Sequence, residues 1–112
     1  ELHETNPIVF NAGFANQGTW VSVLERQGDW VLAEGIFRRD PTANFVAGTS
    51  YANVFTVPEH LRPKQIYYSG VLAGVNAGVS GTMVVGTGGD VEYRHQTGSG
   101  GYISFAGMFW RV

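Results

Sequence analysis

Arg39, Asp40, Tyr51 and Asn53 fall within fifteen residues of one another, and together they supply the groups that a polyhydroxyl ligand needs. A guanidinium donates in a fixed fork, a carboxylate accepts at two oxygens and an amide does both. A phenol adds a flat apolar face with a polar tip. His60 and His95 extend the set, because a neutral imidazole donates from one nitrogen and accepts at the other, which suits a vicinal diol. The expected ligand-binding residues are therefore Arg39, Asp40, Tyr51, Asn53, His60 and His95. They would surround a shallow groove made by the loop 39–50, the start of the strand after it and a neighbouring turn. Asp40 has a second use, opening the turn at Asp40-Pro41. The five tyrosines and three tryptophans add flat faces that stack on the weakly apolar C–H faces of sugar rings, although most must build the core.

Other chemistries lack their residues. With no cysteine there is no disulfide scaffold, thiolate metal site or cysteine nucleophile. No Gly-x-Ser-x-Gly elbow occurs. Gly86-Thr87-Gly88-Gly89 and Gly98-Ser99-Gly100-Gly101 each lead into a strand pattern and not a helix N-terminus, so they read as hairpin turns and not as phosphate loops. His3, His60 and His95 form no short-spaced ligand pair. Glu34 and Glu92 are carboxylates in mid-strand, read as solvent-facing and not as a hydrolytic pair. No catalysis, metal or cofactor is expected. A net charge of −2 gives no electrostatic footprint for nucleic acid or an anionic membrane, and no apolar run is long enough to span one.

The elements that must position these residues are strands. Gly is 16 of 112 residues, aromatics are 13% and charged residues only 14%. This excludes a disordered tail or a coiled coil. Apolar residues recur at period two, and no segment sustains a helical period. Residues 19–26 and 30–38 read as a hairpin across the Gln27-Gly28-Asp29 turn. A polar loop, 39–50, follows, then a strand at 51–57 with Tyr51, Asn53, Phe55 and Val57 on one face. Pro58 ends it, and 58–64 is irregular. Further strands are expected at 65–75, 82–87, 91–96 and 102–112, with turns at 76–78, 88–90 and 97–101. Residues 1–17 read as a connecting segment with a short strand at 8–10, and residues 18–112 as one domain. The class is all-β, an antiparallel β-sandwich of jelly-roll type. The opening Glu1-Leu2-His3-Glu4 has neither Met nor a basic-then-apolar leader, which points to a piece of a longer protein.

Two features point outward. Tyr67 and Tyr68 are consecutive, so one of them leaves the interior. In 102–112, Ile103, Phe105 and Phe109 alternate with Tyr102, Ala106, Met108 and Trp110, so both faces of the strand are apolar. A small sandwich with such a strand is expected to cover its outer face with another chain.

The order of these motifs resembles a known family. Trp30-Val31-Leu32-Ala33-Glu34-Gly35-Ile36-Phe37 comes first, then Phe55-Thr56-Val57-Pro58-Glu59-His60-Leu61-Arg62-Pro63. The turn Gly89-Asp90-Val91 and a closing Tyr102-Ile103-Ser104-Phe105-Ala106-Gly107-Met108-Phe109-Trp110 follow. Over residues 18–112 this resembles the C-terminal head domain of bacteriophage baseplate and tail-fibre receptor-binding proteins. The chain departs from that pattern at His60, where glycine is common, and in the order Gly89-Asp90. The resemblance implies a homotrimeric sandwich at the tip of a virion's tail, outside the cell. There it would bind host cell-surface polysaccharide without cleaving it and would join other tail or baseplate proteins. The alternative it leaves open is a structural baseplate or fibre domain that binds no sugar. Arg62-Pro63 matches the family motif in a structural role, with Arg62 expected to bond loop carbonyls.

Overall fold

The computed structural model describes residues 3–74 and 78–112. Its strands are β1 (His3–Pro7), β2 (Phe14–Asn16), β3 (Val23–Gln27), β4 (Trp30–Glu34), β5 (Ile36–Arg39), β6 (Ser50–Tyr51), β7 (Tyr67–Tyr68), β8 (Leu72–Ala73), β9 (Ser80–Val85), β10 (Val91–Thr97), β11 (Tyr102–Ser104) and β12 (Met108–Arg111). A single 3-10 turn, Glu59–Leu61, is the only helix among the described residues. Every pairing is antiparallel.

One sheet has the order β1-β3-β4-β12, a second β11-β5-β2, and a third β6-β10-β9-β7 with β8 also on β9. The first two make one bent layer, because β4 runs into β5 past Gly35 and β11 runs into β12 past Gly107. At the joint the Phe105 amide donates to the Gly35 carbonyl, 2.9 Å. The third sheet is the opposing layer. Phe37 meets Tyr93 with ring centres 5.4 Å apart, and Tyr67 meets Trp110 at 5.6 Å. Between the layers lie Val31, Ala33, Phe37, Met83, Val85, Val91, Ile103 and Phe105, all fully buried. The fold is an antiparallel all-β sandwich, as the period-two patterning requires.

The last strand differs from its expected form. From Ser104 to Met108 the chain advances four residues, while the partner goes from Ile36 to Ala33, three residues. The extra residue forms a bulge at Gly107, whose φ of 88° favours glycine. A bulge resets the alternation. Ile103 and Phe105 before it and Met108 and Trp110 after it therefore all point into the core, and Phe109 points out. The expected second apolar face does not exist. The Trp110 indole donates to the Leu61 carbonyl, 2.7 Å.

The strand expected at 51–57 also breaks. Only Ser50–Tyr51 joins a sheet, and Asn53 takes a left-handed φ of 58°, a conformation that asparagine tolerates. Val54, Phe55 and Val57 are buried beyond it, so Asn53 does not share their face. Arg62 does bond a loop carbonyl: its Nε donates to Val57 O, 3.0 Å. It lies over Gly89, where a Cβ would come within 2.5 Å of that nitrogen.

The N-terminal stretch is built into both parts of the bent layer and is no mere connector. The sequence His3–Pro7 lacks an apolar alternation, yet it pairs with β3 over five residues as an edge strand. The strand expected at 8–10 reduces to one bridge, Phe10 to Phe55. The segment expected as one strand at 65–75 is two short ones, and its end with the turn at 76–78 lies outside the described residues, Gly78 excepted.

Candidate functional site

The six residues singled out by type do not assemble into one groove. Arg39 and Tyr51 do meet, with the guanidinium 5.3 Å from the ring centre. Their polar atoms are used to hold the loop: Arg39 Nη1 donates to Asn44 O (3.0 Å), and the Val46 amide donates to the Tyr51 hydroxyl (2.8 Å). Asp40 is exposed, 3.6 Å from Arg38 Nη1. Asn53 is exposed beside Asn11, whose side-chain amide donates to its carbonyl.

His95 is 2% exposed. Its Nε2 donates to Gly98 O at 2.8 Å, which fixes the tautomer, so Nδ1 accepts from the Tyr93 hydroxyl at 2.7 Å. Neither nitrogen is presented to a ligand. Burial pushes the Tyr93 phenol above its ordinary range, with the nearby Tyr51 adding to the effect, so it remains a donor. Phe45 packs between His95, Tyr93 and Tyr51. His60 is on the 3-10 turn, its Nε2 2.6 Å from Glu4 Oε1, and its carbonyl accepts from Arg26 Nη1. It is tied to the β1 edge and not to the 39–50 loop.

Glu34 and Glu92 stay apart, on the outer faces of opposite layers. Among the described residues, no group of three or more His, Asp or Glu side chains is placed to hold a metal ion. Nor, among the described residues, is any helix long and apolar enough to cross a membrane.

The concavity lies elsewhere. A groove of about 660 Å³ runs along β12, with Trp30, Phe109, Trp110 and Arg111 on one side and residues 63–67 on the other. A second hollow of about 420 Å³ adjoins it through the shared Trp30 and Phe109, and adds Gln27 and Leu32. Trp30 is 45% and Phe109 53% exposed. The two rings are diagonal neighbours across β4 and β12, with centres 5.6 Å apart. Lys64, Gln65 and Arg111 supply polar ends around them. Tyr67, packed on Trp110, closes the groove floor, whereas Tyr68 points out at 60% exposure.

Phe109 is outside the core only because of the bulge at Gly107. Reading residues 102–112 as one unbroken strand therefore hides this platform. A glycine inside an apolar strand pattern is the local mark of such a bulge. Lys64, Gln65 and Ile66 come from an irregular segment whose position no periodicity gives.

Compared with family models, with curated proteins and with solved structures, the chain matches none. The fold and this groove therefore define the class as a small all-β sandwich with an exposed aromatic pair.

Proposed function

We propose that this domain is a non-catalytic binding head that recognises saccharide through the Trp30–Phe109 groove. The observation that carries this reading is the pair of half-exposed rings in an open groove with Lys64, Gln65 and Arg111 at its rim. Sugar rings stack on such faces through C–H groups while amide and cationic side chains meet their hydroxyls. The exposed halves of these rings add little to the core, and a contiguous apolar surface of this kind suits a binding role. The family resemblance supplies the setting: a receptor-binding head at the tip of a virion's tail, homotrimeric, holding host cell-surface polysaccharide. Each site is weak, in the high micromolar to millimolar range, because sugar hydroxyls must be desolvated. Three sites in a trimer raise the avidity. Calorimetric titration with host-type oligosaccharides tests this. Trp30→Ala and Phe109→Ala should each weaken binding at least about tenfold, with Asp40→Ala unchanged. Unchanged binding in both aromatic variants contradicts the proposal.

One observation favours a second reading, a structural assembly domain. Val9, Trp20 and Val21 are 82%, 55% and 67% exposed. They flank the hydrogen bond from Ile8 N to Ser22 O, at the end of the β1–β3 pair. Such a patch fits contact with another protein chain. Both readings hold together if this end joins protomers while the groove binds sugar.

A further inference from the structure

Resting on the saccharide reading of the groove, we infer that its ligand is an anionic saccharide, one carrying a carboxylate or a phosphate. The residues that line the groove include two cations, Lys64 and Arg111, and no acid. Arg111 has one acidic neighbour, Asp29, at 3.8 Å, and both side chains are 67% exposed. A pair that long and that wet holds little energy, so the guanidinium is free to turn to a ligand. On the adjoining sheet face, Glu25 already accepts from Gln27 Nε2 and lies against His3 Nε2, and Glu34, at the far end of β4, is outside the groove lining.

The backbone adds donors. Among the described residues, β12 has β4 as its one strand neighbour. The Val112 amide donates to Asp29 O, 2.9 Å, and the Met108 amide, at the bulge, to Phe105 O, 3.4 Å, so Trp110, of the same parity as Val112, directs its peptide groups to β4. Phe109 and Arg111 then turn their N–H and C=O groups to the open edge, which borders the groove. A ring stacked on Trp30 and Phe109 sets its substituents against this edge. There, the two side-chain cations flank a negative group, and one edge amide adds a donor to it, while the edge carbonyls are left to accept from sugar hydroxyls. Oxyanions take charge-assisted hydrogen bonds from such donors, and a guanidinium fits carboxylate or phosphate in a bidentate fork. A neutral sugar takes hydrogen bonds from Lys64 and Arg111 but leaves their charge without a partner.

The test is calorimetric titration of the chain with three oligosaccharides of matched length: neutral, uronic-acid-containing and phosphodiester-linked. It is run at about 0.05 M and about 0.5 M salt, against the original chain and a Lys64→Gln/Arg111→Gln variant. Both positions are exposed, and a thermal melt confirms that the variant is folded. An acidic oligosaccharide should bind about 5- to 20-fold tighter than the neutral one at low salt. That margin should shrink at high salt and vanish in the variant, with neutral binding weakened by less than acidic binding. Preference for the uronate alone or for the phosphodiester alone identifies the source of the charge. Equal binding of all three, still lost in Trp30→Ala, overturns the anionic inference and leaves the saccharide reading standing. No binding of any of the three overturns both.

Discussion

Tyr93 and His95 show how a residue type that suits ligand binding is taken up by the fold. Their hydrogen bond is buried, and the chain from Tyr93 hydroxyl to His95 to Gly98 O has every polar atom paired. Tyr93→Phe leaves a buried imidazole acceptor unpaired, and a loss of about 1–3 kcal/mol is expected in chemical denaturation. The pH dependence has a definite sign. A phenol whose folded pKa lies above its unfolded value near 10 contributes stability that is complete below that pH. The contribution is lost as pH rises above it, because only the unfolded state ionises. Absorbance titration should show Tyr93 ionising together with unfolding, a step absent in Tyr93→Phe. Ionisation of Tyr93 in the ordinary range with the fold intact would contradict this burial. The sequence made His95 look available because it precedes a glycine-rich loop. Its position on the inward parity of β10, with Val91 and Tyr93, was readable from the same strand, and the alternation outranks the residue type.

At the scale of elements, turns were legible and irregularities were not. The hairpins across 27–29 and 88–90 follow from glycine and aspartate at turn positions, the second opening two residues earlier than its sequence suggests, since Val85 pairs with Val91. The breaks at Asn53 and Gly107 shift the faces of everything after them by one residue, and only their tertiary partners reveal that shift. Met108 is the sharpest consequence. Read as an outward residue, it suggests that Met108→Lys dissociates an assembly. Buried in the sandwich, it requires instead that Met108→Lys unfold the protomer, because a charge enters the core without a partner. Met108→Ala is expected to cost about 2–5 kcal/mol. Both are checked by thermal melts, and a Met108→Lys chain that melts like the original would contradict the bulge register. The edge strand β1 is hidden in the sequence for a different reason. Its polar sequence carries no apolar rhythm, and its place is fixed by backbone pairing with β3.

For the whole molecule, the all-β class followed from composition and period, because glycine-rich, charge-poor chains with alternating apolar residues have few other ways to bury a core. The groove did not follow, since it joins β4, β12 and an irregular segment from three separate parts of the chain. The proposed trimer is tied to the Val9, Trp20 and Val21 end. Light scattering should give about three times 12.2 kDa, and Val21→Asp should lower the mass to one protomer that still melts cooperatively, at a lower temperature because assembly no longer stabilises the fold. A protomer mass for the original chain at micromolar concentration would contradict the trimer.

The groove itself is tested most directly by mapping backbone and indole NMR shifts as an acidic oligosaccharide is titrated in. The largest shifts are expected at the Trp30 indole and at Phe109, Gln65 and Arg111, with the His95 and Tyr51 neighbourhood unmoved. Shifts centred on residues 39–53, or none at saturating ligand, would contradict it.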